Sequence, residues 1–222
     1  MPDKIDLTKK WVLAGIVCGI LADIVYGVSA GVSLPLRVAY PLFWSFGPLL
    51  IVAGIGLYYF LKQEGKTLTL QLGTLFMIIA GSLVTLMGTM QGSSVAELDK
   101  LRPEDSSPDY RAWRFARISA DSLQLGADLA WDMFIFSAVI LLSMAMLKHS
   151  KFGKIFGFPG ILIGLLGLAF NIYTFPANPG TAGLIDMGPF VGLWFLVVTI
   201  QVIRHYKTLS SGSSTLPAKQ NL

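Results

Sequence analysis

Six runs of about twenty mostly apolar residues, joined by short polar connections, constrain this chain more than any other feature. They cover roughly 11–31, 41–61, 68–91, 122–147, 155–175 and 183–203. A bilayer's hydrocarbon core is about 30 Å thick and a helix rises about 1.5 Å per residue, so each run is long enough for one crossing. In lipid, every backbone N–H and C=O must find its partner inside the protein, which makes such runs helices. The sequence therefore predicts an all-α integral membrane protein, a bundle of six transmembrane helices. Composition agrees. The 222 residues are 54% hydrophobic and 14% charged, against about 25% charged in a typical soluble domain. Too few polar side chains are present to coat a soluble fold of this size.

Lys4, Lys9 and Lys10 precede the first run, as they would in a signal peptide. The run from Trp11 to Gly31 is longer than the roughly 7–15 residues of a signal core and is expected to be an uncleaved first span. Orientation follows the placement of lysine and arginine. Eleven basic residues fall on the side of the N-terminus and of the connections near Lys62, Lys148 and Arg204, and six fall on the other side. Both termini are therefore expected in the cytoplasm, in a cell membrane of the bacterial inner or plasma type. A six-span membrane domain is expected over 1–206, followed by a disordered cytoplasmic tail over 207–222, which is Ser-rich and polar.

The segment 92–121 is the one sizeable connection, and it is expected to face outward. Its second half suggests a helix starting at Ser107 as N-cap, with Pro108 in the first turn and Asp109 complementing the dipole. Tyr110, Trp113 and Arg117 share one face, which fits a helix lying at the headgroup level before turning into the fourth span. A lid over a binding site is the alternative reading.

Three spans followed by three spans place two halves in opposite orientation, the arrangement of an inverted 3+3 repeat. The pairs Ala22-Asp23 and Ala127-Asp128, and the stretches 46–57 and 156–168, carry what likeness the halves have. Small residues at four-residue spacing mark packing faces: Gly15 and Gly19; Gly81, Thr85, Gly88 and Gly92; Gly160, Gly164 and Gly167.

Acidic residues inside spans are costly in lipid and mark functional sites. Asp23 continues the Gly15–Gly19 stripe, with Tyr26 one turn further on. Asp128 and Asp132 lie one turn apart on the fourth span. Asn171 extends the glycine stripe of the fifth, with Tyr173 nearby, and Asp186 begins the sixth. Gln91 ends the third. All fall in the outer half of the membrane, which predicts an outward-facing acidic pocket with an apolar floor. The candidate binding residues are Asp23, Tyr26, Asp128, Asp132, Asn171 and Asp186. Carboxylates there can exchange protons or bind a cation, and Tyr26, Trp131 and Tyr173 can stack on an organic one. Structural alternatives stay open: Asp186 as a helix cap, Asp128 paired with Arg114 or Arg117, and Asp23 or Asp132 in an interhelical bond or paired with Arg37.

Cys18 is the sole cysteine, and His149 and His205 lie at span ends, where interfacial histidines are expected. No catalytic residue, metal-ligand set or cofactor is predicted, and no nucleic-acid partner. The leading reading is a binder or transporter of a cationic or protonated small molecule. The alternatives are a non-catalytic subunit or assembly protein docking other membrane chains, and, third, a membrane enzyme acting on lipid.

Overall fold

The computed structural model describes residues 3–175 and 183–210. Among the described residues, six helices are long and apolar enough to cross a membrane: α1 (Asp3–Gly31), α2 (Leu36–Leu61), α3 (Leu68–Met90), α5 (Tyr110–Met146), α6 (Gly153–Thr174) and α7 (Gly188–Tyr206). The short α4 (Ala96–Lys100) follows α3 through a π turn, Gln91–Val95. The protein is a multi-pass helical membrane bundle. Of the expected tail, Lys207–Ser210 forms a 3-10 turn and the remainder lies outside the described residues. The connection 176–182 also lies outside them.

Neighbours in sequence are neighbours in space. Each spanning helix packs on the next, and α7 closes the ring against α1. The glycine stripes make this possible. On α1, Val12, Gly15, Gly19 and Ala22 face inward, while Leu13, Val17, Leu21 and Ile24 stay exposed on the outer side, where lipid covers them. Gly47 of α2 backs onto Gly81 of α3, and Gly88 and Gly92 receive the rings of Phe43, Tyr40 and Trp44. On α6, Gly157, Gly160, Gly164 and Gly167 form one buried stripe. Gly164 and Gly167 lie against Ile140 and Phe136 of α5, Gly157 against Leu147 just past its end, and Gly160 lies under Trp194 of α7. Small residues substitute here for the hydrophobic drive that is missing between helices in lipid. Hydroxyls in α3 bond to their own helix: Thr74 to Leu70 O, Thr85 to Gly81 O and Thr89 to Thr85 O, each at 2.8 Å.

The end of the bundle near the connections 62–67 and 147–152 is densely packed, around Leu70, Met77, Leu142 and Met146. Thr67 caps α3 by accepting from Leu70 N–H at 3.2 Å. Gly153, at φ 60°, takes the left-handed conformation that opens α6. His149, expected at the interface, is only 6% exposed, because Phe60 and Phe152 enclose it.

At the opposite end two helices overshoot the others. The run from Leu68 to Lys100 is roughly 50 Å long and α5 roughly 55 Å, well beyond a hydrocarbon core of about 30 Å. The region expected as a separate headgroup helix is the first part of α5, continuous with the span. Its N-cap is Asp109 and not Ser107, whose hydroxyl accepts from Asp109 N–H at 3.2 Å. The face bearing Tyr110, Trp113 and Arg117 turns toward α4. Trp113 Nε1 donates to Leu98 O at 2.6 Å, Arg117 Nε to Asp99 at 2.9 Å, and Arg117 also pairs with Asp121. The two overshooting helices thus brace each other as a helical hairpin.

Candidate functional site

Five helices, α1, α2, α5, α6 and α7, converge at the end where α1 and α6 finish and α7 begins, and they line a cavity of about 380 Å³. Its wall includes all six residues singled out in the sequence: Asp23 and Tyr26 from α1, Asp128 and Asp132 from α5, Asn171 from α6, and Asp186 just before α7. The spacing explains the convergence. Asp23 inherits the inward face of Gly15 and Gly19, and Asp128 and Asp132 share the face that continues into the buried Ile135 and Phe136. Asn171 stands one turn beyond Gly167. The rest of the wall is largely apolar, with Phe46, Trp131, Met187 and Val191 among its members. Among the described residues, no basic side chain lines it.

Each polar group has a defined situation. Asn171 donates to Gly167 O of its own helix at 3.0 Å, and its side chain lies beside the Asp132 carboxyl. Asp186 is exposed and accepts from Gly188 N–H at 2.8 Å just before α7, whose N-cap is Met187. A Cβ at Gly188 would meet the Tyr26 hydroxyl and lie 3.0 Å from Asp186 Oδ1, so a larger residue there would displace those two side chains. Two buried polar atoms in the wall, Asp23 Oδ2 and Trp131 Nε1, have no partner among the described residues. An unpartnered buried acceptor costs roughly 1–3 kcal/mol, more if charged, so such atoms call for an occupant that satisfies them.

Other groups of the expected polar layer stand apart. Tyr173 is 78% exposed and points away from the cavity, so it cannot stack on anything held there. Gln91 belongs to the π turn and lines nothing in it. Arg117 is taken up by Asp99 and Asp121 and so is not the partner of Asp128. The layer is built by α1, α5, α6 and the approach to α7, with Phe46 as the contribution of α2. Phe46 and Gly188 were not legible as site residues. Phe46 shares a face with Leu50, Ala53 and Leu57, which reads as core, and Gly188 precedes a proline, which reads as a helix start.

Fold and cavity together define a six-span helical membrane protein with a carboxylate-lined chamber near one end. No known protein family, curated protein or solved structure matches the chain.

Proposed function

We propose that this protein binds a cationic or protonated small molecule in the chamber and carries it across the membrane. The observation that supports this reading is the convergence of four aspartates on one cavity with no basic side chain in its wall among the described residues. Uncompensated carboxylates in a low-dielectric site demand a proton or a cation. The partnerless Asp23 Oδ2 and Trp131 Nε1 add hydrogen-bonding capacity for an organic ligand, and the rings of Tyr26 and Trp131 offer faces for its charge.

The Lys and Arg asymmetry puts both termini in the cytoplasm and the chamber on the outer side. An inverted 3+3 repeat fits the same reading, because α1 and α5, the first helices of the two halves, each supply acids to the wall. The test is proton-linked uptake of labelled tetramethylammonium, which does not cross bilayers unaided, into vesicles containing the full chain. Uptake is expected in the wild type and lost in Asp23→Asn and Asp132→Asn. Equal uptake in all three overturns the carrier reading.

A second reading, a subunit that docks other membrane chains, draws on the overshooting hairpin. Phe115, Ile118 and Leu123 of α5 are exposed there, with Phe115 at 75%. Stoichiometric co-purification of another membrane protein in mild detergent would favour it.

A further inference from the structure

The acids of the chamber stand on opposite walls. In the ring of spanning helices α5 lies three places from α1 in either direction, so Asp23 of α1 and the pair Asp128 and Asp132 of α5 line the cavity from opposed sides. On the α5 side the carboxyls gather. Asp128, Asp132 and Asp186 lie within electrostatic reach of one another, and Asn171 lies beside Asp132. Asp23 is isolated from them: among the described residues no charged group acts on it, and its buried Oδ2 has no partner.

That separation decides what kind of cation suits the chamber. Among the described residues, no three acidic, histidine or cysteine side chains come close enough together to hold one metal ion. A single compact charge set against Asp128, Asp132 and Asp186 leaves Asp23 unanswered, and one set against Asp23 leaves the other three unanswered. Either placement keeps an uncompensated carboxylate in a low-dielectric wall. A ligand with a positive charge at each end answers both sides. The rest of the wall, with Phe46, Trp131, Ile135 and Val191, suits an apolar middle. A chain of about four to six methylenes holds two terminal nitrogens roughly 6–9 Å apart. A cavity of about 380 Å³ takes such a chain and leaves room for water at Trp131 Nε1.

We infer that the ligand is a linear, doubly protonated α,ω-diamine, with one ammonium at Asp23 and the other among Asp128, Asp132 and Asp186. This rests on the cation-binding reading above and names the class of cation. Each primary ammonium carries three donors, which gives Asp23 Oδ2 the partner it lacks.

The experiment measures equilibrium binding of α,ω-diaminoalkanes, and of n-alkylammonium ions of matched length, to the full chain in lipid nanodiscs, with binding to empty nanodiscs subtracted. 1,5-Diaminopentane is expected to bind about tenfold or more tighter than n-pentylammonium, since a second close charge pair forms. Along the diamine series from three methylenes to eight, affinity is expected to peak near the middle, where both ends reach their acids. Asp23→Asn is expected to remove the peak and most of the advantage over n-pentylammonium. The length series needs the wild type alone, so it decides even where the variant does not fold. Diamine affinity that stays level or climbs steadily with length, or a peak that survives Asp23→Asn, overturns the two-ended ligand and, with saturable ethylammonium binding intact, leaves the cation site standing. Absence of binding by ethylammonium and by every diamine removes both.

Discussion

Gly15 of α1 and Gly56 of α2 meet backbone to backbone: a Cβ built on Gly15 would lie 2.5 Å from the Gly56 Cα, and one on Gly56 would lie 2.9 Å from Trp11 O. Neither obstacle is a flexible side chain that could step aside. Gly56→Val should therefore separate α1 from α2 and destabilise the protein by about 1–3 kcal/mol, the usual cost of overpacking. Gly27→Ala on the same α1, where nothing lies within 4 Å of the added carbon, should cost nothing measurable. Thermal unfolding in detergent, with both variants beside the wild type, checks the contrast.

Trp194 is the pin between α6 and α7. Its Nε1 donates to Phe156 O at 3.0 Å, and its ring covers Gly160. Gln201 adds a bond from the same helix to Lys151 O at 2.5 Å. Trp194→Phe keeps most of the ring but loses the donor, and it should cost about 1 kcal/mol. Faster amide exchange confined to α7 would report the loosening. Unchanged exchange there would mean that α7 is held by other contacts.

His149 gives the densely packed end a dependence on pH. Burial between Phe60 and Phe152 lowers its pKa below the ordinary 6.5. Its Nδ1 accepts from Lys151 N–H at 3.2 Å, and its buried Nε2 has no partner among the described residues. Below the ordinary histidine range the unfolded chain takes up a proton that the folded chain resists, so stability falls as pH drops through about 6.5. Glu64 acts in the same direction further down. Burial raises its pKa, but bonds from the Ser150 hydroxyl and amide, with His149 and Lys151 nearby, outweigh this and hold it below 4.5. Its contribution is lost as pH falls through that lowered value. Melting temperatures at pH 7.5 and 5.5 should differ in the wild type and differ less in His149→Phe.

The hairpin formed by α4 and the start of α5 should loosen independently of the bundle. Trp113→Phe with Arg117→Ala removes the bond to Leu98 O and both ion pairs of Arg117. Partly exposed pairs contribute little, at most about 1 kcal/mol each. Amide exchange in Ala96–Lys100 should quicken, with the melting temperature of the bundle nearly unchanged. A large fall in melting temperature would show that the hairpin supports the spans.

Hydropathy placed the six helices because lipid demands length and apolarity of each span, and periodicity pointed Asp23 and Asn171 inward because both continue glycine stripes that pack against neighbouring helices. What escaped depends on contacts between distant segments. Trp113 and Arg117 share a face that suits a membrane surface as well as it suits α4, and only the length of α3 and α5 together decides between them. His149 looks interfacial in sequence because Lys148 and Lys151 flank it, yet two phenylalanines from α2 and the α5–α6 turn enclose it.

The central claim is that the chamber aspartates hold a cation, and equilibrium binding of ethylammonium to the full chain in nanodiscs tests it most directly. Saturable binding is expected in the wild type, weakened about tenfold or more by Asp132→Asn and by Asp23→Asn, since each removes a charge that faces the ligand in a low-dielectric site. Wild-type affinity retained in both folded variants, or no saturable binding in the wild type, would contradict it.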